Sequence, residues 1–453
     1  MENIDLLAML ADIFARHGGP APAVAQTYSP TDFSVHFFLQ LGLIILACRV
    51  VGWLGAKFLA QPQVVGEMIA GVVLGPSLFG LFLPEIQSNI FPKEMRNVLY
   101  CGAQLGVGLY MFLVGTTLRL DHFATKVRSA VVVSVSGIAA PFVIAFLITP
   151  MLLQWPGLFA AGISRANATL FMGACIALTA FPMLARIINE RGLADTSLGT
   201  LSLTAGAFDD AVSWCVLALV LAAFGAGAGV AVLAIGGGLI WASFVVLFGR
   251  KILAPLGRMV ERDGHMSNTV LGFTLVAFCT SAFVMDAVGI HAIFGGFILG
   301  AVMPRGLFAT ELKKKVEPLT VILLLPMFFT YSGLNTRLDM INSAPLLLIA
   351  LGVLVASVLA KFGACYLAAR LAGEDNRTAL GIGALMNSRG LMELIIINIG
   401  LQKGIIGPAL FSMLVLMAVV TTMMASPVFE WVYGKKARES GELGAAPGRA
   451  GAA

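Results

Sequence analysis

The stretch TAGAFDDAVSWCVLALVLA, residues 204–222, sets two adjacent carboxylates, Asp209 and Asp210, inside an otherwise apolar run. An ionisable side chain at the centre of a bilayer costs roughly 2.5–3.5 kcal/mol on insertion scales, and such groups mark ion and proton pathways. Successive residues on a helix point about 100° apart, so the two acids serve different purposes. One is placed to face a hydrated cavity and the other a neighbouring helix. A second buried charge, Lys361, interrupts LLLIALGVLVASVLAKFGACYLAARL. It is too deep in that run to reach an interface by snorkelling, so it needs a buried partner, and the acids around Asp209 are the ones available.

Two further stretches carry breaks where a helix should be continuous. GACIALTAFPMLARIINERG has Thr179 followed by Pro182, and proline removes a backbone donor. GIGALMNSRGLMELIIINIG has Asn387, Ser388, Arg389 and Gly390 at its middle. Interrupted helices in corresponding halves of a chain are the best sequence pointer to an ion site, because unwound carbonyls and half-helix ends coordinate cations. Arg389 and Glu393 are four residues apart and are placed to neutralise one another on one face, as supports rather than ligands. The six cysteines form no C-x-x-C pair and the five histidines are scattered. No resident metal or organic cofactor is expected.

The elements that position these groups follow from composition. Of 453 residues 58% are hydrophobic and 12% charged, with a mean hydropathy of +0.92. Soluble domains carry about 25% charged residues, so this is an all-α integral membrane protein. Breaks at charged or Pro/Gly-rich stretches give thirteen transmembrane segments: 34–59, 63–83, 97–118, 129–153, 168–188, 198–223, 226–248, 268–287, 289–304, 318–334, 344–370, 378–401 and 405–432. With the N-terminus outside, twenty of the 29 Lys and Arg fall on the cytoplasmic side and six outside. Arg49, Lys361 and Arg389 remain within segments. That asymmetry is the positive-inside pattern of an inner or plasma membrane. The odd number allows two six-helix halves as inverted repeats joined by the seventh segment. Residues 1–33 form an extracytoplasmic N-terminal segment, 34–433 the transmembrane domain and 434–453 a disordered cytoplasmic tail.

QPQVVGEMIAGVVLGPSLFG (61–80), ALTAFPMLARIINERGL (177–193), AFDDAVSW (207–214) and LMNSRGLMELIIINIGL (385–401) resemble the Kef-type and plant cation/proton exchanger branch of the monovalent cation:proton antiporters. The resemblance runs from about 34 to 433, with the four stretches in order. It implies the sodium/proton antiporter fold, with two crossed, locally unwound helices, and a homodimer in which dimerisation and core parts interleave. It also implies a secondary antiporter, not an enzyme, that exchanges Na+ or K+ for protons by alternating access and serves pH homeostasis. Asp210 would be the shared cation and proton site, Asp209 would pair with Lys361, and Thr179 would complete the coordination. Many relatives carry Asn or Gln where Asp209 stands. A sodium-coupled organic solute carrier and a passive cation channel are the alternatives, although no T-V-G-Y-G-like filter is present. An intramembrane aspartyl protease needs a G-x-G-D turn, which the chain lacks.

Overall fold

A computed structural model describes residues 30–59, 61, 63–117, 127–181, 184, 187–188, 193, 196–223, 228–288, 292–434 and 437. In hydrocarbon the backbone has no partner but itself, and the described residues are accordingly helical. The single strand-like pairing among them is an antiparallel bridge between Phe159 and Ile406. The helices are α1 (Pro30–Leu59), α2 (Gln63–Leu74), α3 (Arg96–Thr117), α4 (Val127–Leu153), α5 (Arg165–Ala177), α6 (Ser197–Ala223), α7 (Ala228–Phe244) and α8 (Arg250–Asp263). They continue with α9 (Asn268–Ala287), α10 (Ala292–Val302), α11 (Leu307–Leu319), α12 (Leu325–Asn335), α13 (Ala344–Leu371), α14 (Asn376–Met386), α15 (Leu391–Gln402) and α16 (Pro408–Phe429). Short turns of helix at Phe79–Phe82 and Pro84–Ile90 lie between α2 and α3. Among the described residues nine helical stretches are long and apolar enough to cross a membrane. The chain is therefore a multi-pass helical membrane protein.

Several boundaries differ from those read in the sequence. The seventh segment does not stop at 248: α7 runs through a π turn, Val245–Gly249, into α8 and ends at Asp263. There Gly264 takes a left-handed conformation (φ 70°) that closes the helix. The tenth segment begins earlier, at Leu307, and passes through a second π turn, Thr320–Leu324, before α12. In both cases helix continues through a run of Lys and Arg, so the charges do not mark where it unwinds. The second segment instead breaks after Leu74, ahead of Pro76, which cannot continue the hydrogen-bond ladder. The N-terminal segment up to 29 and the tail beyond 437 lie outside the described residues.

The helices pack in two groups. One holds α1–α3 and α9–α12; the other holds α4–α6 and α13–α16. In the first group close approach is set by glycine. A Cβ on Gly71 of α2 would strike the Phe329 carbonyl of α12, and one on Gly333 would strike the Gly71 carbonyl, so the two backbones touch directly. In the second group α14 is started by Asp375, whose carboxylate accepts from the backbone N–H of Arg377 (2.9 Å) and Thr378 (3.1 Å). Hydrogen bonding from Thr378 and Arg377 holds this exposed carboxyl below the usual range.

Gly71→Ala and Gly333→Ala should each destabilise the protein by about 1–3 kcal/mol through overpacking. Gly42→Ala, which meets nothing within 4 Å, should leave thermal unfolding in detergent unchanged. Equal melting of all three variants would refute the backbone contact. Asp375→Ala should cost about 1 kcal/mol at neutral pH, the usual worth of a helix cap. A depressed carboxyl stabilises the fold above its unfolded pKa and loses that effect as pH falls through its folded value. The gap between variant and parent should therefore close on acidification, as measured by unfolding at a series of pH values.

Candidate functional site

The site is built where two helices stop short. α5 ends at Ala177, and Leu178, Thr179 and Ala180 are extended or irregular before helical geometry resumes at Phe181. The break therefore falls at 178–180, ahead of the 179–182 stretch read from the sequence. Pro182 itself lies outside the described residues. Proline at that position has no N–H for the carbonyl four residues earlier, which accounts for an interruption upstream of the ring. α14 ends at Met386, Asn387–Gly390 are non-helical, and α15 restarts at Leu391. The two breaks meet: the Ala180 N–H donates to the Ser388 carbonyl at 3.2 Å.

A helix end in an apolar medium leaves carbonyls without partners and carries partial negative charge. At the end of α5 both needs are met by cations from other helices. Lys361 of α13 donates to the Ala177 carbonyl at 2.5 Å, and Arg389 donates to the Cys175 carbonyl at 2.8 Å. Each cation is also paired with an acid. Lys361 Nζ lies 2.6 Å from Asp209 Oδ2, with both side chains essentially inaccessible to solvent. Arg389 Nη1 lies 3.1 Å from Glu393 Oε1, equally buried, and its Nη2 donates to Ser357 Oγ.

Asp209 uses both its oxygens. Oδ1 accepts from Ser134 Oγ of α4 at 2.5 Å, and Oδ2 accepts from Thr179 Oγ1 at 2.8 Å as well as from Lys361. The Thr179 hydroxyl also lies 3.0 Å from the Met386 carbonyl, the last of α14. With one proton, Thr179 serves one of these acceptors at a time. This single side chain thus links the aspartate, the first break and the end of the second broken helix. Around the second break Asn387 Oδ1, Ser388 Oγ, Arg389 Nε and Glu393 Oε2 are buried without a hydrogen-bond partner among the described residues. That leaves three oxygen acceptors, Asn387 Oδ1, Ser388 Oγ and Glu393 Oε2, beside unwound backbone, and unwound backbone in interrupted membrane helices is where transporters coordinate cations. Among the described residues there is no group of His, Cys, Asp and Glu that would hold a metal ion permanently.

Of the residues singled out in the sequence, Thr179, Asp209 and Lys361 come together in one network, and Arg389 and Glu393 in a second beside it. Asn387 and Ser388 line the second break. Asp210 belongs to α6, but its side chain, like Pro182, lies outside the described residues. Sequence reasoning missed Ser134, Ser357 and Thr422. Thr422 of α16 accepts from the Arg389 N–H at 3.2 Å, and its one proton serves either the Arg389 carbonyl at 2.9 Å or the Ala418 carbonyl of its own helix at 2.6 Å. It also missed Glu67 of α2, which is buried and accepts from Gln63 at 3.1 Å. Serine and threonine are common in membrane helices, where their hydroxyls satisfy local backbone, so only the tertiary partner distinguishes these.

Fold and site together define a multi-pass membrane protein with charge pairs assembled on interrupted helices. Residues 41–433 match the family model described as sodium/hydrogen exchanger, transmembrane, and the chain belongs to that family within the monovalent cation:proton antiporter superfamily. It is 38% identical over 404 residues to the Na+/H+ antiporter NhaS4 of Synechocystis sp., a match covering 86% of this chain and 95% of the relative. It is 34% identical to cation/H+ antiporter 19 of Arabidopsis thaliana over 93% of this chain and 53% of that protein. It is 30% identical to K+/H+ antiporter 1 of Saccharomyces cerevisiae over 89% of this chain and 47% of that protein. The chain thus spans about half the length of the plant and yeast relatives, and nearly all of the cyanobacterial one.

The paired charges make a stability prediction. Removing one member of a buried pair leaves the other charged and alone, at a typical cost of 3–5 kcal/mol. Lys361→Ala should lower thermal stability accordingly, whereas Lys361→Ala with Asp209→Asn should recover the part of the loss due to the stranded carboxylate, the Ala177 carbonyl still lacking its donor. Additive destabilisation in the double variant, measured in detergent, would mean that the two charges are not energetically coupled.

Proposed function

We propose that the protein is a secondary antiporter exchanging Na+ or K+ for protons by alternating access, with Asp210 as the shared site. The observation that carries this reading is the buried Lys361–Asp209–Thr179 network at two interrupted helices. Asp209 is fully engaged by three partners, so it acts as the fixed counter-charge. Its neighbour on α6, about 100° around the helix, is the carboxylate left to titrate. Protonation and cation binding exclude one another on one carboxylate. If the site crosses only when its charge is compensated, inward proton flow drives cation export. Thr179, the Met386 carbonyl and the oxygens of Asn387 and Ser388 would complete the cation's coordination, while Arg389, Glu393 and Pro182 support the broken backbone.

The same reading takes the chain as thirteen spans in two inverted repeats. The nine long helices are completed by α6, α10 and the two interrupted pairs, α5 with its continuation and α14 with α15. The α4–α6 and α13–α16 group would be the core part and the other group the dimerisation part of a homodimer. The N-terminus would lie outside and the C-terminus in the cytoplasm of a plasma or inner membrane. Relatives named for Na+/H+ and for K+/H+ antiport support the exchange and leave both cations as substrates.

Reconstituted protein should convert an imposed Na+ or K+ gradient into a pH change with no organic solute present. That result would separate antiport from an organic solute carrier, and proton coupling would separate it from a channel. Asp210→Asn should abolish exchange while the protein still inserts and elutes as the parent does, because the amide keeps the shape and loses the titrating group. Near-normal exchange by Asp210→Asn would sink the site assignment. Thr179→Val should raise the cation concentration for half-maximal exchange several-fold, with a smaller effect on stability.

A further inference from the structure

A groove of about 620 Å3 lies between α8 and the turn after α10. Arg250, Arg258 and Glu261 line one wall, and residues 302–305, ending in Arg305, line the other. Gly257 lets Pro304 approach the helix at its floor. Arg250, Arg258 and Arg305 thus line one concave site with a single acidic residue, Glu261. Arginine presents a planar fork that matches phosphate oxygens two at a time.

The groove's depth points to the ligand. Below it, on the same continuous helix, Leu247, Phe248 and Ile252 are exposed apolar residues. From Phe248 to Arg258 the helix rises about 15 Å, more than the depth of one headgroup layer, so a helix that is apolar at its 247–252 end can present the groove's arginines at headgroup level. On α8 the buried residues Leu253, Gly257 and Val260 form one face, leaving the charges on the others. A soluble anion would gain nothing from the exposed apolar surface leading into the groove, whereas a lipid would use both. We propose that this groove binds the phosphate of an anionic membrane phospholipid, with its acyl chains along the 247–252 face. The bound lipid would anchor the α7–α8 helix, which joins the two packing groups in the chain. This inference rests on the chain's being a membrane protein and not on its transport activity.

The full chain in a non-ionic detergent is titrated with dioleoylphosphatidylglycerol and, separately, dioleoylphosphatidylcholine, and retained lipid is counted by native mass spectrometry. The parent should hold the phosphatidylglycerol at least about tenfold more tightly. Each basic residue near an anionic lipid surface contributes roughly fivefold in affinity. Arg250→Gln, Arg258→Gln and Arg305→Gln combined should therefore weaken it on the order of 100-fold, and Arg258→Gln alone about fivefold. The triple variant Lys313→Gln, Lys314→Gln and Lys315→Gln removes the same charge outside the groove and should weaken retention at least about tenfold less than the groove triple does. Equal retention of the two lipids, or equal loss in both triple variants, would overturn the proposal. Displacement of phosphatidylglycerol by inorganic phosphate at matched concentration would assign the groove to a soluble anion instead. The single variant keeps the test decisive if the triple variant fails to fold.

Discussion

The unpaired carbonyl end of α5 is the constraint on which the rest of the site depends. A helix that stops inside a membrane exposes polar backbone to a medium with no water, at a cost of several kcal/mol per group. Hydrophobic side chains cannot supply the missing donors. Lys361 and Arg389 do so at the Ala177 and Cys175 carbonyls. Each then requires a counter-charge, which brings in Asp209 and Glu393. Asp209 in turn requires the hydroxyls of Ser134 and Thr179 to fill its remaining lone pairs. The polar interior of this bundle is thus a chain of obligations that begins with one interrupted backbone.

Buried ion pairs are poor evidence of stability by themselves, since well-packed apolar residues often do as well or better. Here the comparison fails because the backbone, not the side chains, sets the demand. Replacing both partners of the Lys361–Asp209 pair with leucine would restore packing and still leave the Ala177 carbonyl bare. The pairs are also close to neutral overall, so on the antiport reading a change of charge at a neighbouring carboxylate is felt against a fixed background.

Much of this arrangement was legible in the sequence because hydrocarbon tolerates so few exceptions. Asp209, Lys361, Arg389 and Glu393 stood out as charges in apolar runs, and Asn387–Gly390 as a polar break within one. The location of the first break was less legible. Pro182 drew attention to itself, while the chain unwinds at 178–180, where its missing donor is felt. Charged runs at 250–262 and 313–315 read as loops, yet a helix continues through both, since charge does not oppose helix. The hydroxyls of Ser134, Ser357 and Thr422 were illegible, because partners more than thirty residues away in the chain decide whether such a group serves its own turn or a distant acid.

The two packing groups are joined differently from how each is joined within itself. Inside the first group Gly71 and Gly333 bring backbones into contact, a fit that permits no sliding without a clash. Between the groups the described polar links include four single hydrogen bonds: Gln61 Nε2 to the Met423 carbonyl at 2.9 Å, Asn398 Nδ2 to Ser332 Oγ at 3.2 Å, Gln402 Nε2 to Tyr331 Oη at 3.4 Å, and the Arg337 N–H to Ser412 Oγ at 2.8 Å. A small apolar contact of Val65 with Ala180 sets α2 directly against the first break. Hydrogen bonds of this kind contribute about 1 kcal/mol net each. Small sliding of packed helices remakes such contacts at low cost, which is how shear motions proceed. On the antiport reading, the surface at which the two groups would move relative to one another runs along α2 and α12 on one side and α15 and α16 on the other, and it passes the interrupted helices themselves.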